Sequence, residues 1–323
     1  VAAIPKTIPE RSDGIEVRRD APLSAYTRFG IGGPADLLID ASTEAAFQSA
    51  YQNVRKSGQP LMVIGGGTNL IVSDEGFRGV IIRFTASQIC AEGNFISVGG
   101  GAVLQSLVDF SIDQGLAGIH TMTGIPGWVG AAVYGNAGAY GRSIDQSVKS
   151  VRFFDGHAVR EFDNSQCQFR YRESIFKRQK EWIIFSTELE LAAGNALELR
   201  EKATSILSIR NEKYPVTMKC AGSIFKNLLF AELPESVQRQ VPAKVVREGK
   251  VPSAFFLELA GAKGMKNGDI HVADYHANLI YNAGQGTARQ VCEIIDELKA
   301  RVRDRFAFEV EEEVQYVGFN PAR

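Results

Sequence analysis

Cysteine is scarce in this 323-residue chain, and its four thiols, Cys90, Cys167, Cys220 and Cys292, form no C-x-x-C pair and keep no close spacing with His120, His157, His271 or His276. That scatter excludes a disulfide scaffold and a zinc-type ligand set, and predicts reduced thiols and no metal. A dominant charge is missing too. With 36 basic and 37 acidic residues the net charge is −1, so no global field recruits nucleic acid or an anionic membrane, and phosphate binding has to be local. No window approaches the about 18 to 20 apolar residues of a membrane span. The opening stretch, VAAIPKTIPERSDGIEVRRD, has no apolar core followed by a cleavage site, so the expectation is a cytoplasmic protein. Proline stops at 11 residues while glycine reaches 32, a composition of globular enzymes with many tight turns.

The apolar pattern alternates between helical and extended periods. STEAAFQSAYQNVRKSGQP reads as a helix with Ser42 as its cap, one face of Ala46, Phe47, Ala50 and Val54, and a stop at Gly58 and Pro60. LMVIG and LIVS flank the turn GGGTN as strands, and the order strand, helix, strand suggests a mixed domain. Strands then dominate (GVIIRF, FISVGGG, SVRFFDG, EWIIFSTELEL), interrupted by the helix-like LQSLVDFSIDQG. GLAGIHTMTGIPGWVGAAVYGNAGAYG is too glycine-rich to predict a regular element. ALELREKATSILSIRNEK is helical and connects to a further unit, where Val291, Ile294, Ile295, Leu298 and Val302 form a helical stripe behind the cap Thr287. Alternation of Phe306, Phe308, Val310, Val314 and Tyr316 predicts a final strand.

Two glycine stretches invite a ligand. A strand running into Gly65, Gly66 and Gly67 offers successive N–H groups with no Cβ in the way, which suits a diphosphate, although the same turn is compatible with a purely structural role. No G-K-[ST] follows, so a Walker loop is excluded, and FGIGGPA lacks the leading strand and following helix of a Rossmann turn. From Gly124 to Gly141 glycine recurs every few residues, which lets main chain run along a large flat ligand. A dinucleotide explains both stretches together. Ser223, in KCAGSIFKN, has neither a G-x-S-x-G turn nor the companions of an S-x-x-K nucleophile.

YTRFGIGGPADLLI, VIGGGTNLIVSDEGFRGVIIRF, GIPGWVGAAVYGNAGAYG, CQFRYRESIFK, AGSIFKN, HANLIYNAGQGTARQV and EEEVQYVGF occur in one order across residues 26 to 318. In these stretches the chain resembles the UDP-N-acetylenolpyruvoylglucosamine reductases, flavoenzymes of peptidoglycan precursor synthesis. Trp182 to Lys213 holds no tyrosine, as in the class without an extra tyrosine-bearing substrate loop. The resemblance implies an α+β fold, with a two-subdomain FAD-binding part of the vanillyl-alcohol-oxidase type (1–80 and 81–205) and a substrate domain (206–323). It implies non-covalent FAD held by Gly65, Gly66, Gly67, Thr68 and Asn69 and by Gly127, Gly130, Asn136, Ala137 and Gly138. It assigns catalysis to Arg172, Ser223 and Glu313, and the substrate's UDP phosphates to Asn227, Lys250, Lys263 and Lys213. The implied partners are small molecules only, UDP-N-acetylglucosamine enolpyruvate and NADPH, handled by a monomer.

The implied reaction reduces an enolpyruvyl ether to a lactyl ether. NADPH gives a hydride to FAD, and a second hydride reaches the vinyl carbon remote from the carboxylate. Negative charge then builds on the adjacent carbon and its carboxylate, and fixed donors have to meet it. Arg172 suits a carboxylate through its two-pronged fork, Glu313 would donate as a neutral acid, and Ser223 would supply the final proton to carbon. Trp128 stands where the family usually has a small residue, and Leu228 where proline is usual. Two rival readings are a flavin oxidase on a similar cofactor fold and a nucleotide-binding module without chemistry.

Overall fold

The computed structural model describes residues 11–319. The architecture is α+β, and it divides into two units. Of the described residues, the first holds those up to Ala21, Ala35–Gly66 and Arg78–Glu212, and the second holds Pro22–Pro34, Gly67–Phe77 and those from Lys213 onward. The boundaries expected at 80 and 205 fall inside a strand, Phe77–Phe84, and a helix, Ala196–Lys213.

The first unit carries two five-stranded sheets. One runs in the order Arg11–Ser12, Ile15–Pro22, Pro34–Ala41, Phe77–Phe84, Leu61–Val63, with the last pair parallel. Helix Glu44–Ser57 covers it, burying Ala46, Phe47, Ala50, Tyr51 and Val54. Its cap is Thr43, whose Oγ1 accepts from Ala46 N–H at 3.1 Å. Ser42, expected in that role, instead donates from Oγ to Gly14 O. Gly58 ends the helix in the left-handed region at φ 69°. Phe47 meets Phe84, Phe154 and Phe185 at centroid distances of 5.9, 6.5 and 5.5 Å, edge-on contacts that each add about 0.5–1.5 kcal/mol beyond area burial.

The other sheet is antiparallel throughout, in the order Val159–Asp163, Val148–Phe154, Ile183–Glu190, Phe95–Gly99, Ile89–Glu92. Helix Leu104–Asp113 buries Leu104, Leu107, Val108 and Ile112. Within the glycine-rich stretch, expected to be irregular, Val129–Tyr134 forms a short helix. Glycine is tolerated there because packing demands it: a Cβ on Gly130 would lie 3.0 Å from Gly100 O, and Gly130 N–H donates to that same oxygen at 2.8 Å.

The second unit is built on an antiparallel sheet in the order Lys219–Ser223, His276–Asn282, Ile270–Ala273, Lys266–Asn267. Helix Ala288–Phe306 buries Val291, Ile294, Ile295, Leu298 and Val302, and a reciprocal Thr287/Gln290 capping box opens it. Asp74 accepts from Ala288 and Arg289 N–H at 2.8 and 3.0 Å, setting a carboxylate on the positive end of the helix. The predicted final strand shrinks to Gln315–Val317, parallel to Leu70–Val72. Phe306 belongs to the helix instead, and Ala307 turns the chain at φ 57°. Among the described residues no helix is long and apolar enough to cross a membrane, and no group of three or more His, Cys, Asp or Glu could hold a metal.

Candidate active site

In the first unit, strand Leu61–Val63 delivers the chain to the turn expected to hold a dinucleotide. Ile64 N–H is spent on Ile82 O at 3.1 Å. The next two N–H groups, of Gly65 and Gly66, meet no acceptor among the described residues. The face beside them is aromatic: a Cβ on Gly66 would sit 3.0 Å from Trp128 Cδ1, and the Arg83 guanidinium lies 5.4 Å from the Trp128 ring centroid. Arg83 is fixed by two bonds to Asp40, at 2.6 and 2.7 Å. Burial would raise the Asp40 pKa, but the bonds from Arg83 and Arg18 outweigh it and leave the carboxyl below its usual value. Two adjacent free donors on glycine, with a flat ring alongside, fit the diphosphate of FAD.

The second glycine stretch holds itself by its own backbone. Gly127 O accepts from Leu104 N–H at 2.9 Å, and Ala137 N–H donates to Ala132 O at 2.7 Å. Gly138 has to be glycine, since a Cβ would lie 2.5 Å from Arg142 O. Asn136 is buried and left-handed, at φ 43°. Its amide nitrogen donates to Arg170 O at 2.9 Å and its amide oxygen accepts from Asp145 N–H at 3.3 Å, so this side chain organises the loop. Burial, then Glu173, push the Tyr134 phenol up to about 12, which keeps it neutral at working pH.

Arg172 is tied to that stretch. Its guanidinium donates to Gly138 O at 3.0 Å and to Asn136 O at 3.5 Å. Its backbone is left-handed at φ 56°, a conformation that costs a side-chain-bearing residue about 1–2 kcal/mol. The surroundings enforce it: Arg170 and Glu173 exchange both main-chain bonds, at 2.9 and 3.1 Å, and Lys177 Nζ donates to Arg172 O at 2.8 Å and to Glu173 at 3.0 Å. Strain held in place by its neighbours is a mark of functional turns.

In the second unit, Gly222 is left-handed at φ 77°, with no described atom within 4 Å of a Cβ position. It accompanies a pairing irregularity between Cys220 and Ser223, which places Ser223 opposite Leu279. Tyr214 Oη lies 3.1 Å from Ser223 Oγ. Glu313 N–H donates to Ile224 O at 2.7 Å, so the main chain of the glutamate is bonded to the residue directly after the serine. Of the acidic triplet, Glu311 pairs with Lys226, and Glu312 with Lys299 and Tyr316. Asn69, expected at the cofactor, turns its amide to Glu313 O at 2.9 Å. Thr68 and Gly67 precede it, and Gly67 at φ 66° passes so close to Tyr26 that a Cβ would stand 1.8 Å from Tyr26 O.

The loop after Ser223 rests on residues the sequence reading missed. Asn278 is buried and bonds both main-chain groups of Phe225, at 2.9 and 2.8 Å, as well as Ser253 Oγ at 2.7 Å. Asn227 Oδ1 accepts from Ser253 N–H at 3.3 Å. Leu228 lies opposite Val251, and Lys250 opposite Leu229, in a two-residue ladder. Lys263 pairs with Glu258 at 2.7 Å, and Lys213 O accepts from Tyr275 at 2.9 Å. Partial burial, then Lys213, and more weakly Lys263, lower the His276 pKa, so two of the three expected phosphate-binding lysines act electrostatically on one half-buried imidazole.

Residues 35–159 match the family described as FAD binding domain, and residues 214–317 match the UDP-N-acetylenolpyruvoylglucosamine reductase C-terminal domain. The chain is 64% identical to the UDP-N-acetylenolpyruvoylglucosamine reductase of Solibacter usitatus, over 94% of this chain and 97% of that one. It is 32% identical to the reductase of the same name from Bacillus subtilis, over 97% of each. The crystal structure of the reductase from Thermus caldophilus superposes with a TM-score of 0.72 at 27% identity, covering 94% of this chain and 98% of that one. With similarity this high over nearly the whole length, the chain belongs to the UDP-N-acetylenolpyruvoylglucosamine reductase family.

Proposed function

We propose that the chain is an FAD-dependent oxidoreductase that uses NADPH to reduce UDP-N-acetylglucosamine enolpyruvate to UDP-N-acetylmuramate, acting as a cytoplasmic monomer in peptidoglycan synthesis. Gly65 and Gly66 would hold the FAD diphosphate without a covalent link, with Gly67, Thr68, Asn69 and the Gly127, Gly130, Asn136, Ala137 and Gly138 stretch shaping the rest of the cradle. When bound, FAD supplies the hydride relay from NADPH to the vinyl carbon. Arg172 clamps the substrate carboxylate with its two-pronged fork. Glu313, when it carries a proton, would donate a hydrogen bond to the charge that develops on that carboxylate. Ser223 hands its Oγ proton to the adjacent carbon; a carbanion is basic enough to take it, so no histidine base beside the serine is required. Asn227, Lys250, Lys263 and Lys213 hold the diphosphate of the substrate.

The observation that supports this reading most is the Glu313 N–H to Ile224 O bond, which ties the main chain of the candidate acid to the residue next to the candidate proton donor. The test is a single-turnover comparison of the FAD-loaded protein with its Ser223→Ala variant. Flavin reduction by NADPH should proceed at the normal rate, and reoxidation by the enolpyruvyl substrate should slow by about 10²–10⁴-fold. Impaired reduction with intact reoxidation would overturn the role of Ser223. A colourless protein that cannot be reconstituted with FAD would sink the enzyme reading altogether.

A further inference from the structure

Ser223 is a weak acid asked to protonate carbon within a turnover, and the reading above gives it no help. The structure supplies a helper that no part of that reading uses. Tyr214 follows directly on helix Ala196–Lys213, and its phenol oxygen stands 3.1 Å from Ser223 Oγ. The ring is held from several sides: it packs against the small cluster of Cys220, Ala273 and Leu279, and its centroid lies 6.0 Å from that of His276. His276 is itself fixed, because its Nδ1 accepts from Asn278 N–H at 3.3 Å, which assigns the proton of the neutral ring to Nε2. The phenol is therefore presented to the serine by packing rather than by a mobile loop.

We infer that Tyr214 is a positioning residue for proton delivery, donating its O–H to Ser223 Oγ so that the serine's own proton points away from the tyrosine and toward the substrate carbon. The inference rests on the role of Ser223 proposed above. The chemistry balances as follows. The Ser223 O–H bond breaks and a C–H bond forms at the carbanionic carbon. The electron pair of the O–H bond stays on Oγ, and the resulting alkoxide keeps the hydrogen bond from Tyr214 until a water molecule reprotonates it. A donor already aimed at Oγ stabilises the charge that appears there, and so strengthens the serine as an acid. It also selects one rotation of the serine hydroxyl, since Oγ can donate only one proton.

Tyr214→Phe keeps the ring on Cys220, Ala273 and Leu279 and removes only the donor. In the FAD-loaded enzyme, kcat should fall about tenfold, equivalent to about 1.4 kcal/mol of barrier, with KM for the enolpyruvyl substrate and Tm unchanged. The slow step should be flavin reoxidation, and its solvent deuterium isotope effect should increase, because proton transfer becomes more rate-limiting. The Ser223→Ala/Tyr214→Phe double variant should be no slower than Ser223→Ala, because the tyrosine acts through the serine. A kcat within twofold of wild type with an unchanged isotope effect overturns the inference. So does a loss carried by KM or Tm, or an additive double variant. If Ser223→Ala itself leaves reoxidation intact, the underlying role of Ser223 has failed; if Ser223→Ala is severe and Tyr214→Phe is silent, only the inference has.

Discussion

Asn69 Nδ2 donates to the main-chain carbonyl of Glu313 at 2.9 Å, across 244 positions of sequence, and the Asn69 carbonyl accepts from Gln315 N–H at 2.9 Å. One asparagine thus holds Glu313 and the start of strand Gln315–Val317, where it pairs with Leu70–Val72. The GGGTN turn ends by fixing the backbone of the candidate acid, a task distinct from binding a diphosphate. Asn69→Ala should cost about 0.5–1.5 kcal/mol in stability for the lost bond and lower kcat through a displaced Glu313. Urea unfolding and steady-state kinetics with saturating FAD check both. Weakened FAD binding with an intact kcat would show that the asparagine serves the cofactor instead.

Gly67 combines a left-handed φ of 66° with a Cβ position 1.8 Å from Tyr26 O. Gly58 has nearly the same φ, 69°, and nothing within 4 Å. The pair separates conformational strain from collision. Gly58→Ala should lose about 1 kcal/mol, whereas Gly67→Ala adds a clash with rigid main chain and should lose about 3 kcal/mol or more. Equal losses in urea unfolding would mean that the chain near Tyr26 yields freely.

How much of this was readable beforehand depends on the range of the interaction concerned. The stripe from Val291 to Val302 and its Thr287 cap are local patterns, and the helix follows them to within a residue of its start. Phe306 and Phe308 deceived because an i, i+2 pair fits a strand, while Phe306 equally continues the helical stripe from Val302; packing in the core of the second unit chose the helix. Helix Val129–Tyr134 was hidden because glycine usually argues against helix, and only the approach of Gly130 to Gly100 O explains its presence. At the candidate site, residue types carried the reading, but the partners did not show. Tyr214 meets Ser223 through the irregular pairing after Cys220, and Asn278 reaches Phe225 and Ser253 only once strand His276–Asn282 lies beside Lys219–Ser223.

Trp128 sets a large side chain against the two free donors of the glycine turn, with its Cδ1 3.0 Å from the Cβ position of Gly66. Trp128→Ala removes that wall and the Arg83 contact, which is worth about 0.5–1 kcal/mol. The Kd for FAD should rise about tenfold, a change of about 1.4 kcal/mol, as measured by equilibrium ultrafiltration of the reconstituted protein. Trp182 is the control. It packs 4.8 Å from Phe153 and 5.7 Å from Phe162 in centroid distance, so Trp182→Leu should reduce stability and leave the Kd for FAD unchanged. An unchanged Kd in Trp128→Ala would remove the indole from the cradle.

His276 makes stability depend on pH in a direction that can be worked out. Burial, then Lys213, and more weakly Lys263, depress its folded pKa, whereas in the unfolded chain it titrates near the ordinary value of about 6.5. Between the depressed value and about 6.5 the unfolded state therefore binds more protons than the folded one, and stability rises with pH across that window. Acidification from neutrality removes stability progressively, until the folded imidazole also takes its proton and the slope vanishes. His276→Asn lacks a titrating group at this position, so its unfolding free energy between pH 7.5 and 5.5 should fall less steeply than that of the wild type. Urea unfolding at three pH values across that range measures the difference in slope. Superimposable slopes would mean that the half-buried ring takes up its proton as readily in the folded chain as in the unfolded one.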